Sequence, residues 1–272
     1  MKTVIRSYNY LEDFIDNLRS EGRYSFTLTE VNNQFQISNE AVKKSIQRLG
    51  RKNKIVHIRN GFYIIVPPEY NSKGIIPPSF FIPDLMKFLG RDYYLGLINA
   101  ASYFGAAHQQ PQEYFIITTS PTLRAINNHS VKINFYKKKE WDTRFVMDQK
   151  TEAGYINISS PELTALDLVF FQHRIGGFDR VSTILEELST QINPNTLLDC
   201  AKAYNIISVV QRLGFILEIV LGKVDLVEPL KKYLQRTKYF PLFLNPSSPV
   251  KPELQIENNW KIIQNIIVEP DI

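Results

Sequence analysis

Residues Ser38 to Val66 read SNEAVKKSIQRLGRKNKIVHIRNGFYIIV, and their pattern decides the fold of the N-terminal region. Ser38 is a residue that caps helices, and Val42, Ile46 and Leu49 recur behind it at helical spacing. One stripe of this helix is therefore apolar, while Glu40, Lys43, Lys44, Gln47, Arg48 and Arg51 fall on the opposite arc. Two β-rich runs follow, Lys54 to Arg59 and Phe62 to Val66, separated by Asn60-Gly61, a dipeptide suited to a two-residue hairpin turn. From Ser38 to Asn60 seven basic residues (Lys43, Lys44, Arg48, Arg51, Lys52, Lys54, Arg59) face the single acid Glu40.

Upstream, Leu11, Phe14, Ile15 and Leu18 predict a helix over Ser7 to Ser20, ending near Gly22. Thr27 and Glu30 have the spacing of a capping box and predict a short second helix with Leu28, Val31 and Phe35 turned inward. Helix, helix, helix, hairpin is the order of a winged helix-turn-helix. A cluster of breakers, Pro67, Pro68, Gly74, Pro77 and Pro78, then separates this region from the rest. The expected organisation is a winged helix-turn-helix at 1–70, a linker at 71–79 and a larger mixed α/β domain at 80–272, giving an α+β chain that ends in helices.

In the second domain an apolar helix is expected over Tyr93 to Ala107. Strands are expected near Tyr114 to Thr119, Val131 to Tyr136, Arg144 to Asp148 and Tyr155 to Ile158, where β-branched and aromatic residues concentrate. Pro161 sits where a helix begins, and helical periodicity runs from Phe178 to Lys238 with punctuation at Pro194, Gly222 and Pro229. For the run Trp260 to Val268, strand and helix both remain open.

Composition narrows the function classes. With 44% hydrophobic and 22% charged residues, the 272-residue chain is that of a soluble globular protein. Its single cysteine, Cys200, excludes an internal disulfide and a cysteine-built zinc site, which fits a reducing cytoplasm. The start of the chain lacks the continuous apolar core of a signal peptide. The most apolar segment, Ile206 to Leu221, is broken by Gln211, Arg212 and Glu218, so no membrane span is expected. None of His57, His108, His129 and His173 has a partner at metal-ligand spacing, and no metal or other cofactor is expected.

The basic face carries the functional expectation. Duplex DNA is a dense line of phosphate charge, and a helix projecting Lys and Arg gains affinity by releasing counterions. Asn39, Lys43, Gln47 and Arg48 lie where a recognition helix reads base edges, with Lys44 and Arg51 on the same arc. Lys52 and Lys54 are expected to clamp the backbone, and Arg59 and Asn60 at the hairpin tip to reach a neighbouring minor groove or phosphate. The plainer alternative is a solvated charged face serving protein contacts; the clustering of cations favours DNA.

Enzyme chemistry has weaker support. GAAHQQPQ, Gly105 to Gln112, and SSPELTALDLV, Ser159 to Val169, set polar groups among apolar ones. His108 is expected at a helix C-terminus, and Asp167 as a buried carboxylate satisfied by Ser, Thr or Arg neighbours. No catalytic residue is assigned. The candidates for an enzymatic alternative, in which the second domain silences a partner by phosphoryl transfer, are His108, Ser159, Asp167 and Arg174.

These segments, with GFYIIVPPEY at Gly61 to Tyr70, YYLGLINAASYFGAAHQQPQ at Tyr93 to Gln112, QRLGFILE at Gln211 to Glu218 and NNWKIIQNIIVEPD from Asn258 to Asp271, resemble the AbiEi antitoxins, encoded beside nucleotidyltransferase-like AbiEii toxins in abortive-infection operons. The resemblance implies a bacterial cytoplasmic repressor that binds inverted repeats in its own promoter, and a C-terminal domain that neutralises the toxin, by direct contact or without it. His108, Gln109 and Gln110 belong to the shared motif and, with Asp167, mark the antitoxin domain.

Overall fold

The computed structural model describes residues 10–35, 37–107, 113–128, 131–248, 256–257 and 259–270. The chain is mixed α and β. By its contacts it divides into two units, one of Met1–Tyr93, Gln112–Lys137 and Asp148–Asn157, the other of Tyr94–Pro111, Lys138–Met147 and Ile158–Ile272.

The first unit opens with α1 (Tyr10–Ser20), β1 (Ser25–Thr27), α2 (Leu28–Gln34), α3 (Asn39–Arg51), β2 (Ile55–Arg59) and β3 (Phe62–Ile65). The predicted caps are in place. Thr27 Oγ1 accepts from Glu30 N at 3.1 Å while Thr27 N donates to Glu30 Oε2 at 2.7 Å, which satisfies two of the orphan N–H groups of α2. Ser38 Oγ accepts from Ala41 N at 3.3 Å and starts α3. Arg59 pairs with Phe62 across the Asn60-Gly61 turn, where Gly61 takes φ +80°, a conformation glycine adopts without strain. Leu11, Phe14, Phe26, Val31, Phe35, Val42 and Leu49 close a common core with Ile55 and Ile65.

Sequence reading missed β1. It has only three residues and is held by antiparallel pairing with β3, Ser25 opposite Ile64, giving the sheet order β1-β3-β2. Residues 68–80 form two short 3-10 turns, Pro68–Tyr70 and Pro78–Phe80, with Ile75 and Ile76 buried between them. Helix α4 (Ile82–Leu89) follows, and its Asp84 Oδ2 accepts from Ser25 Oγ at 2.5 Å. Further along the chain, β5 (Glu113–Thr118) pairs in parallel with β7 (Val131–Lys137), and β6 (Ile126–Asn128) runs antiparallel to β7.

The helix expected over Tyr93 to Ala107 is corrected. Tyr93–Leu95 is a strand, β4, and only Leu97–Tyr103 is helical, as α5. An apolar run of this length does not distinguish buried strand from buried helix by periodicity; the choice falls to pairing, Leu95 of β4 lying parallel to Ile158 of β9 (Gly154–Ser159). The neighbouring β8 (Val146–Thr151) begins after a 3-10 turn at Thr143–Phe145, later than expected.

Helix α6 (Pro161–Phe170) starts where Pro161 predicts, with Ser160 Oγ accepting from Leu163 N at 3.3 Å. It is buried almost all round, from Leu163 to Val169, and α8 (Pro194–Tyr204) and α9 (Ile207–Phe215) pack against it. Helix α7 (Gly177–Leu188) precedes them. A π-helical turn at Ile216–Val220 leads to α10 (Val224–Gln235). Pro229 does not punctuate this region; it lies inside α10. The run left open at Trp260 contains β12 (Ile262–Ile263), which pairs with β10 (Leu242–Phe243) in parallel and β11 (Ile256–Glu257) antiparallel.

Candidate functional site

Helix α3 turns Val42 and Leu49 into the core, with Ile46 packed at its edge, so the 3.6-residue period forces the intervening residues outward. Asn39, Lys43, Lys44, Gln47, Arg51 and Lys52 are exposed, and Arg48 is half-buried. Among the described residues no ion pair engages Lys43, Lys44 or Arg51. Lys52 Nζ and Lys54 Nζ lie 3.1 and 3.4 Å from Glu12 Oε1 on α1. The hydrogen bond from Lys52, with a smaller one from Lys54, holds the Glu12 carboxyl below the usual carboxylate range, although burial pulls the other way. Both lysines remain about half exposed, so their attachment to Glu12 is screened by solvent.

At the hairpin, Asn60 is exposed and Arg59 is half-buried. Arg59 Nη2 donates to the carbonyl of Arg124 at 3.3 Å, and its guanidinium carbon lies 5.7 Å from the centre of the Phe135 ring. The two tip residues thus differ: one meets solvent and the other is held by its own unit. His108, Gln109 and Gln110 lie outside the described residues.

Asp167 is fully buried on α6, as expected, but its partners are not Ser, Thr or Arg. Tyr94 Oη donates to Asp167 Oδ2 at 2.6 Å, while Tyr204 Oη and Lys138 Nζ reach Oδ1 at 2.8 and 3.0 Å. Lys138 Nζ also stands 3.8 Å from the centre of the Tyr204 ring, a cation–π contact, and Trp141 packs edge-on to Tyr94 at 5.1 Å. Burial first, then the Asp167 charge, raises both tyrosine hydroxyls well above their ordinary range. Burial likewise pushes the Cys200 thiol far up, which leaves it protonated and a poor nucleophile.

This is a closed network: a carboxylate with three donors around it, paired to a cation that is 10% exposed. Sequence reading missed Lys138, which sits in the run Lys137 to Lys139 and looks there like part of a solvated charge cluster. Tyr94 and Tyr204 carried no local signal. Of the other enzymatic candidates among the described residues, Ser159 Oγ is buried against Thr164 Oγ1 at 2.6 Å, and Arg174 is exposed. Among the described residues no three His, Cys, Asp or Glu side chains cluster to hold a metal ion, and no helix is long and apolar enough to cross a membrane.

Two other motif segments also meet. Trp260 packs directly on Gly214 of α9, and its Nε1 donates to Glu218 Oε2 at 2.6 Å; Lys231 Nζ reaches Glu218 Oε1 at 2.6 Å. Gln211 Nε2 donates to the carbonyls of Phe240 and Trp260, and Arg212 to those of Phe243 and Leu244. The segment Gln211 to Glu218 is thus the anchor of the C-terminal strands.

A mixed α and β chain with a basic third helix, α3, and a helical unit built around α6 is the class these features define. Residues 94–219 match the model of the AbiEi antitoxin C-terminal domain, and the resemblance to the AbiEi antitoxins is shown over that stretch. No curated protein matches the chain. Among solved structures, that of the RV2827C protein from Mycobacterium tuberculosis shares the fold, with a TM-score of 0.65 at 14% identity over 97% of this chain and 92% of that one. An antigenic nucleotidyltransferase-like protein from Paracoccidioides brasiliensis has a TM-score of 0.37 at 12% identity over 57% of this chain and 90% of that one.

Proposed function

We propose that the protein is a DNA-binding autorepressor and the antitoxin of a toxin-antitoxin operon, acting in the bacterial cytoplasm without catalysis of its own. The observation that carries the DNA-binding half is the outward arc of α3, where Lys43, Lys44 and Arg51 stand exposed with no ion pair among the described residues. Residues 1–70 are read as a winged helix-turn-helix, whose order the elements α1, β1, α2, α3, β2 and β3 follow. Asn39, Lys43, Gln47 and Arg48 read base edges in a major groove of the operon's own inverted repeats. Lys44, Arg51, Lys52 and Lys54 set the register on phosphates, and Asn60 approaches from the hairpin.

The antitoxin half rests on the family match at 94–219. Beyond a linker at 71–79, the domain at 80–272, marked by the motif residues His108, Gln109, Gln110 and Asp167, neutralises an AbiEii-like nucleotidyltransferase toxin. A reporter fused to the promoter, in cells that also express the neighbouring toxin, tests both halves. The full chain is expected to silence the reporter and restore growth. The triple variant Lys43→Ala, Gln47→Ala, Arg48→Ala is expected to restore growth while releasing the reporter. Silencing by the triple variant overturns the assignment of α3, and growth arrest in the presence of the full chain overturns the antitoxin role.

A further inference from the structure

Asn60-Gly61, at the tip of the β2–β3 hairpin, is the only Asn-Gly pair in the sequence. Asn60 is exposed, and among the described residues no hydrogen bond holds its side-chain amide. Gly61 takes φ +80°, and its missing Cβ leaves open the path from its backbone nitrogen to Asn60 Cγ. The exposed Asn53 and Asn71 lack such a neighbour: Lys54 and Ser72 follow them, and a Cβ on the following residue crowds the same path. The main chain around the pair is tied down on both sides. Arg59 pairs with Phe62 across the turn, and the Gly61 carbonyl accepts from the N–H of Leu28, the first residue of α2, at 2.9 Å.

We propose that Asn60 is a modification site at which the chain converts its own side-chain amide to an acid, with water as the only co-reactant, and that the conversion weakens the hold of the hairpin on duplex DNA. The deprotonated Gly61 nitrogen attacks Asn60 Cγ. A new C–N bond closes a cyclic imide as the bond from Cγ to the amide nitrogen breaks, and that nitrogen takes up a proton and leaves as ammonia. Water then opens the ring, and nothing is oxidised or reduced. Opening at Cγ gives aspartate; opening at the main-chain carbonyl gives isoaspartate, which adds one carbon to the main chain between Arg59 and Phe62. Both products put a negative charge where the amide had none, and beside the phosphates of a duplex that charge repels. The isoaspartate also shifts the tip against its bond to Leu28. The chemistry at Asn60 stands without the operator reading above; its effect on DNA rests on that reading.

The test holds the full chain at neutral and at mildly alkaline pH in oxygen-18 water, alone and with its promoter duplex. Samples taken over days are mapped by peptide mass spectrometry and assayed for duplex affinity. The peptide carrying Asn60 is expected to lose its amide and gain one oxygen-18 before those carrying Asn53 and Asn71, faster at the higher pH, in two products that chromatography separates. Asn60→Gln is expected to leave this peptide unconverted, because the longer side chain would have to close a larger, slower-forming ring. The aged parent, and Asn60→Asp from the start, are expected to bind the duplex about two- to fivefold more weakly than the fresh parent at low salt. An Asn60 peptide that converts no faster than those of Asn53 and Asn71, or that yields no isoaspartate, overturns the site. Full conversion with undiminished duplex affinity overturns the effect on DNA. Failure of the fresh parent to bind its promoter removes the operator reading alone, because the peptide map still decides the modification.

Discussion

Gly214 and Trp260 interlock: a β-carbon built on Gly214 would lie 2.0 Å from Trp260 Cζ3 and 2.2 Å from Cη2. The indole is fully buried and tied to Glu218, so it has little room to retreat.

Gly214→Ala is therefore expected to destabilise the protein. In an exposed helix interior the same change stabilises by about 1 kcal/mol; here overpacking should reverse the sign and cost about 1–3 kcal/mol. Denaturant unfolding followed by tryptophan fluorescence measures it. A variant as stable as the parent would show that the ring is free to move.

Asp167→Asn is expected to cost about 3–5 kcal/mol, because it leaves the Lys138 ammonium at the core without its counter-charge. Pairing the change with Lys138→Met should recover part of the loss, and a double-mutant cycle reads the coupling. Strict additivity of the two changes would mean that the ion pair contributes nothing of its own.

Alkaline pH tests the buried tyrosines. Burial pushes the Tyr93 hydroxyl from its ordinary 10 to about 12, and Tyr94 and Tyr204 shift in the same direction. Their folded-state values exceed the unfolded ones, so the folded chain keeps protons that the unfolded chain releases. The associated stability is complete below pH 10 and disappears as pH rises through 12. Unfolding free energy followed alongside tyrosinate absorbance should show this decline, and Tyr93→Phe should make it shallower. A flat profile across that window would contradict the assignment.

Glu12→Gln releases Lys52 and Lys54. The exposed pairs are worth less than about 1 kcal/mol, so stability should barely change, while duplex affinity at low salt should rise by less than about fivefold. A fall in affinity would show that Glu12 positions the two lysines instead of competing for them.

The sequence made α2, α3 and the hairpin legible because their signals are local: the capping box of Thr27 and Glu30, the Ser38 cap, and Gly61 at the turn. Strand β1 and the strand at Tyr93–Leu95 were illegible for the opposite reason, since each exists by pairing with residues distant in the chain, Ile64 and Ile158. The cations of α3 could be named from periodicity alone. The network at Asp167 could not, because Tyr94, Lys138 and Tyr204 come from separate segments and converge only when α6 and α8 pack. Arg59 shows the limit of position as a guide: it stands at the end of β2, yet its guanidinium turns onto Arg124 and Phe135.

The most direct measurement is the equilibrium affinity of the full chain for its own promoter duplex as salt is raised. Recognition through the exposed cations of α3 requires log K to fall with log salt by about 0.9 for each phosphate neutralised, and the Lys43, Gln47, Arg48 triple alanine variant to lose specific retention at every salt. An affinity indifferent to salt, or a triple variant that binds like the parent, would contradict it.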